Sequence, residues 1–259
     1  MTVSRNTIKY IRSLQLRKFR QKYNNFVLEG DKIAKEVLRQ AKFDVAGLYA
    51  LPAWLEANHI LLQNIDSESI IPVSENELTK ISGLATPNQV LLIARQPQYD
   101  LANTSISGRF TLFLDAIQDP GNMGTILRIA DWFGLPAVLC SPDCADVFSP
   151  KVVQASMGAL LRVPTIETTL PEVHRQYPDL PLLGAVLDGE NVFQVSLPTQ
   201  GILIIGNESR GIDSALQPLL TQRIAIPPAA GGGAESLNAA VATGILVALL
   251  TNRQYKNVV

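Results

Sequence analysis

Three short polar segments in the second half of the 259-residue chain carry the side chains best suited to chemistry. Asn122-Met123-Gly124-Thr125-Ile126-Leu127-Arg128 follows an apolar run at 110–117. Gly206-Asn207-Glu208-Ser209-Arg210-Gly211 follows a second run at 201–205. Ile226-Pro227 leads through a glycine-rich loop to Glu235-Ser236-Leu237-Asn238, which opens an apolar helix. Carboxamides such as Asn122, Asn207 and Asn238 donate and accept hydrogen bonds and so position other groups. A carboxylate such as Glu208 can accept a proton. A guanidinium such as Arg128 stays protonated, so it suits the holding of a phosphate and the stabilisation of a developing anion rather than proton removal. In α/β sheets ligands bind outside the carboxyl ends of strands, and three such segments in one domain imply one shared site.

Other chemistries are absent. The glycine-rich loop lacks the Gly-Lys-Ser/Thr ending of a P-loop, and no GxGxxG follows the first strand of a domain. With only His59 and His174 there is no Ser–His–Asp arrangement and no metal-ligand spacing. Cys140 and Cys144 are too few for a disulfide framework and read as buried thiols. Net charge is −1, but its distribution is uneven. Between Arg5 and Lys22 lie seven Lys or Arg and no acidic residue. Such a basic head is either a footprint for phosphate backbones or a solvated helix face. The N-terminus lacks the apolar segment of a signal peptide, and the apolar stretch at 237–250 is too short to span a bilayer, so the expectation is a cytoplasmic protein with no membrane partner.

The elements that must position these segments alternate between strand and helix. Residues 5–22 read as one basic amphipathic helix, with Ile8, Ile11, Leu14 and Phe19 near helical spacing. A strand at 26–28 follows, then a helix capped by Asp31, a strand at 45–50, a helix at 53–58, a helix at 75–81 behind Ser74, and a strand at 90–94. This makes 1–95 a small α/β domain, 96–109 a linker without periodicity, and 110–259 a second domain. In the latter, strands are expected at 111–116, 137–140, 182–187, 201–205 and 223–226. Helices are expected at 125–133, at 149–161 behind a Ser149-Pro150 start, and after a Ser236 cap. Arg128 would then sit in the first turn or two of its helix.

Taken in order, the three segments resemble the motifs of the SpoU/TrmH family of RNA ribose 2′-O-methyltransferases, in the SPOUT superfamily. Asn122, Gly124 and Arg128 match the first motif; Gly206, Asn207, Glu208 and Gly211 the second; Ile226-Pro227 and Ser236-Leu237-Asn238 the third. Ser156-Met157-Gly158-Ala159 also resembles the family, and the match covers about 108–253. More weakly, Phe26-Val27-Leu28-Glu29-Gly30 and Thr86-Pro87-Asn88-Gln89-Val90 are similar to the substrate-binding domain that some members carry. The resemblance implies an α/β fold with a SPOUT-type parallel sheet and a trefoil knot, behind a smaller N-terminal α/β RNA-binding domain. It implies S-adenosyl-L-methionine as cofactor, ribosomal RNA as partner with transfer RNA as the alternative, and a homodimer. Gly206, Ile226, Leu237, Ser236 and Asn207 would hold the cofactor, and Arg128, Asn122, Glu208 and Asn238 would serve catalysis. The alternatives are an RNA-binding protein of the same fold without turnover and a nucleotide-dependent α/β enzyme of another kind.

Overall fold

The computed structural model describes residues 3–255. The chain forms two compact units, Met1–Gln98 with Phe148–Gly158, and Tyr99–Val147 with Ala159–Val259.

The first unit is built on four strands, β1 (Asn25–Glu29), β2 (Val45–Ala50), β3 (Ile70–Pro72) and β4 (Val90–Arg95), in the order β1-β4-β2-β3. β4 pairs antiparallel with β1 and β2, while β2 and β3 run parallel. β4 is buried from Val90 to Ala94, which is why its sequence is a continuous apolar run rather than an alternating one. Its helices are α1 (Arg5–Ser13), α2 (Arg17–Tyr23), α3 (Asp31–Gln40), α4 (Pro52–Ala57), α5 (His59–Leu62) and α6 (Glu75–Ile81).

The single helix expected at 5–22 is thus two helices. The break follows from burial: Leu14 is fully buried in the core, and Arg20, only 2% exposed, turns inward so that its Nη1 donates to the Leu14 carbonyl at 2.7 Å. That bond satisfies one of the carbonyls a helix end leaves unpaired. One of the seven early cations is therefore structural. Asp31 is the first residue inside α3 and not its cap; Gly30, at φ +123°, takes that place. Asp31 instead accepts from the Trp54 indole at 2.7 Å and from Lys35 at 3.0 Å.

A further helix, α8 (Pro150–Ser156), packs on β1 within this unit. Ser149 caps it as expected, but it ends before 161 because Met157 and Gly158 both adopt positive φ, 48° and 89°.

The second unit is a six-stranded parallel sheet of β5 (Phe110–Leu114), β6 (Val138–Cys140), β7 (Thr165–Glu167), β8 (Leu182–Asn191), β9 (Gly201–Ile205) and β10 (Gln222–Ala225), in the order β10-β8-β9-β5-β6-β7. Every residue of the neighbouring strands β5 and β9 is buried, as a parallel sheet covered on both faces requires. Helices α7 (Pro120–Trp132), α9 (Leu170–Gln176) and α10 (Ala239–Tyr255) complete it, with α10 packed on α7. Leu101 and Ile106, in the stretch read as linker, are buried in this unit's core beside Phe113 and Ile204. Cys140 and Cys144 are free and buried. No described helix is long and apolar enough to cross a membrane.

α6 yields a pH prediction. Ser74 and Glu77 form a capping box, and Glu77 accepts from the Ser74 amide at 2.9 Å and from the Val3 amide at 2.8 Å. These backbone bonds, that from Ser74 foremost, pull its carboxyl from an ordinary 4.5 down to about 2. A depressed carboxyl contributes stability above its unfolded value that is lost as pH falls through the folded one. Thermal stability should therefore fall as pH drops from about 4.5 to about 2. Glu77→Gln should be less stable at neutral pH and lose less over that acid window; identical acid profiles for the two proteins would remove Glu77 from the account.

Candidate active site

Because every strand of the second unit runs in the same direction, the loops after β5, β9 and β10 leave from one edge of the sheet. Those are the three segments singled out in the sequence. Side-chain hydrogen bonds join them. Asn238 Nδ2 donates to Asn122 Oδ1 at 2.9 Å, and Asn122 Nδ2 donates to Glu208 Oε1 at 2.7 Å. One residue from each segment thus enters one chain of bonds.

The direction of that chain follows from the backbone. Asn238 Oδ1 accepts from the amides of Ala240 (2.9 Å) and Val241 (3.2 Å), which are orphan donors of the first turn of α10. Only an oxygen can accept there, so the Asn238 NH₂ must face Asn122, and it needs an acceptor, the Asn122 oxygen. Asn122 is left with its NH₂ for the third segment, where a carboxylate receives it. The helix cap therefore sets the orientation of both amides and of Glu208.

This corrects the expected start of the last helix. Asn238 caps it; Ser236 and Leu237 lie before it, both exposed. Ser and Asn are both good caps, and the Asn122 contact selects the second of them. The helix after β5 is also longer than expected. Asp119 Oδ1 accepts from the Asn122 amide at 2.8 Å and Pro120 occupies the first helical position, so the helix begins at Pro120 and not at 125. The Asp-Pro pair was the available signal.

Arg128 falls in the third turn of α7, not in the first or second. It lies about 9 Å along the axis from Asn122 and roughly 120° around it, as six residues of helix require. It is exposed, and none of the described hydrogen bonds or ion pairs joins it to the amide–carboxylate chain.

The second segment is a rigid hairpin. Asn207 and Gly211 exchange both backbone bonds, at 3.0 and 2.9 Å. The Asn207 side chain accepts from the amides of Ser209 and Arg210 and donates to the Ala116 carbonyl at 2.8 Å. Its hydrogen-bonding groups are engaged inside the protein, so what Asn207 gives the site is the shape of the loop. Sequence reading passed over two further braces. Asp115 Oδ2 accepts from the Asp213 amide at 2.7 Å, and burial pushes its carboxyl above the ordinary value. Ser141 Oγ accepts from the Ala116 amide at 2.9 Å. Neither pairing carries a local sequence signal, because each partner is far along the chain.

The surface around the bond chain mixes apolar and charged side chains: the three segments contain no lysine but include Arg128, Arg210, Glu208 and Glu235. Ile226 is half-buried and Leu237 is 47% exposed, an apolar side chain left uncovered in a loop that is exposed from Pro227 to Asn238. Glu208, also exposed, is held in place by Asn122.

The comparisons agree with this geometry. Residues 109–248 match the SpoU rRNA Methylase family, and residues 5–92 match the MRM3-like substrate binding domain. The chain is 31% identical over 247 residues to the 23S rRNA (guanosine(2553)-2′-O)-methyltransferase RlmP of Bacillus subtilis, covering 93% of this chain and 94% of that one. It is 36% identical to a putative TrmH-family RNA methyltransferase from Porphyromonas gingivalis, with a TM-score of 0.86 over 98% of this chain and 100% of that one. An rRNA methyltransferase from Sinorhizobium meliloti, solved with AdoMet bound, is 25% identical with a TM-score of 0.87, over 98% and 97% of the two chains.

Gly206 provides the test of the hairpin. A Cβ there would lie 2.2 Å from the Gly211 carbonyl carbon and 2.3 Å from the Ile212 nitrogen, so it is the chain's own backbone that demands glycine. Gly206→Ala should cost about 1–3 kcal/mol of stability by overpacking. Gly233→Ala, whose Cβ meets nothing within 4 Å, should leave the unfolding midpoint unchanged. Equal midpoints for Gly206→Ala and the parent would contradict the packed hairpin.

Proposed function

Since this chain belongs to the SpoU rRNA methylase family, we propose that it transfers the methyl group of S-adenosylmethionine to a ribose 2′-hydroxyl of ribosomal RNA. The observation that carries the reading is the bond chain Asn238–Asn122–Glu208, which unites the three family motifs at one edge of the parallel sheet. Ribosomal RNA is favoured over transfer RNA because the Bacillus subtilis relative, matched over 94% of its length, is named for 23S rRNA.

S-adenosylmethionine supplies a methyl group already activated by its sulfonium. The protein must bind, align and manage one proton. Ile226, Ser236 and Leu237 with the backbone at Gly206 would hold the cofactor and the aliphatic pair would exclude water, while Asn207 keeps the loop in shape. Asn122 fixes Glu208 through Oε1, which leaves Oε2 to take the proton of the ribose hydroxyl. Arg128 holds the neighbouring phosphate and offsets the negative charge that grows on the 2′-oxygen. The first unit, with its exposed cations on α1 and α2, captures the RNA.

The proposal includes a trefoil-knotted second unit and a cytoplasmic homodimer. Support for a second copy comes from α10. It is apolar almost all round, as a helix buried on every side would be, yet Val241 is 52% exposed, Ala248 is exposed, and Ile245 and Leu249 are half-buried on the same stripe. Val241→Asp should shift the mass measured by light scattering from dimer to monomer; a monomeric parent protein would sink the dimer.

Two measurements test the activity. Ribose methylation mapped in total RNA with and without the protein should differ at a site in ribosomal RNA. Arg128→Ala should bind S-adenosylmethionine normally and slow methyl transfer by roughly 10²-fold, the usual loss when a group stabilising developing charge is removed. Near-normal turnover by that variant on saturating RNA would remove Arg128 from the reaction.

A further inference from the structure

The positive face of α1 and α2 also carries aromatic rings. Tyr23, the last residue of α2, is 40% exposed. Its ring lies edge-on to Tyr10 at 5.1 Å between centroids, and nearly parallel to Phe19 at 6.3 Å with 13° between the planes. Lys22 Nζ sits 5.4 Å from the centre of the Tyr23 ring, and Lys18 Nζ 5.0 Å from that of Phe19. Arg5, Lys9, Arg12, Lys18 and Lys22 are exposed, and the stretch from Arg5 to Lys22 contains no carboxylate.

The rings are held rather than loose. Asn25 Nδ2 donates to the Tyr10 hydroxyl at 2.6 Å, and Tyr10 packs against the core of the unit. Asn24 turns left-handed at φ 52° and ends α2 directly after Tyr23, so the aromatic residue stands at the helix terminus. A held ring loses little freedom when a ligand stacks on it.

A merely solvated helix face needs charges and no exposed ring. A phosphate-binding face for double helix needs cations, but paired bases offer it no π-face. Unpaired nucleotides offer both a base to stack and phosphates to pair. We propose that the α1–α2 face is a platform for a single-stranded stretch of the substrate RNA, with one base stacked on Tyr23 and flanking phosphates on Lys18 and Lys22. This rests on the RNA reading above and adds to it the state of the RNA recognised and the residue that recognises it.

The test uses the full chain, a short labelled unstructured RNA oligonucleotide, and a blunt duplex of the same sequence. Tyr23→Ala should weaken binding of the single strand about tenfold, as expected for the loss of one stacked base, and leave duplex binding nearly unchanged. Tyr23→Trp, which keeps an aromatic face, should restore single-strand affinity, and Tyr23→Leu, equally apolar but without a π-face, should not. Lys18→Gln with Lys22→Gln should flatten the dependence of log affinity on log salt by about 0.7 per lost contact on a single strand. Unchanged S-adenosylmethionine affinity and unfolding midpoint show that the variants are folded. Unchanged single-strand binding by Tyr23→Ala, equal weakening of both RNAs, or rescue by leucine would each overturn the platform. Methyl transfer by the parent protein is scored separately, so an active enzyme indifferent to Tyr23 rejects the platform alone, and an inactive protein whose single-strand binding follows Tyr23 rejects the activity alone.

Discussion

A carboxamide has one accepting end and one donating end, and Asn122 uses both at once, toward Asn238 and Glu208. The loops after β5, β9 and β10 are polar, largely exposed and distant in sequence, and the parallel sheet alone delivers only their starting points to one edge. What turns three loop ends into one surface is this pair of bonds. Its polarity begins in the backbone, because the free amides at the start of α10 require the oxygen of Asn238. From there each donor leaves one possible partner, and the series ends on a carboxylate. Exchanging an amide for an isosteric carboxylate or hydrocarbon at either asparagine would break the sequence of donors and acceptors without changing the volume much.

Around this chain the protein invests in rigidity that does not touch it. Asn207 and Asp115 spend their side chains on backbone groups that pin the β9 hairpin to the segment after β5, and Ser141 ties that segment to the end of β6. Gly206 belongs to the same scaffold, since its missing side chain makes room for Gly211 and Ile212. Reaction geometry depends on positions held to fractions of an ångström, and such supporting bonds supply that precision. The head of the chain concentrates exposed cations, and the three segments at the sheet edge carry two, Arg128 and Arg210.

Much of this was legible in the residues. The buried strands β5 and β9 read as apolar runs in the sequence, and Asn122, Glu208 and Asn238 stand in the polar segments that follow strands. Helix ends were harder. The helix expected at 125–133 in fact starts with Asp119 as cap and Pro120 at its first position. Ser236 and Asn238 compete as caps, and a partner 116 residues away decides between them. The break between α1 and α2 depends on Arg20 turning inward, and nothing local distinguishes it from its exposed neighbours. Local rules fix which residues can act; long-range partners fix which of them do.

The central claim is that Asn122 and Asn238 act as one unit in methyl transfer. Single-turnover rates for Asn122→Ala, Asn238→Ala and the double variant test it directly, with S-adenosylmethionine and RNA saturating. If the bond chain operates as a unit, each single variant is slowed strongly and the double variant is little slower than either one. Rates near the parent value in the single variants, or losses that simply multiply in the double, would contradict the account.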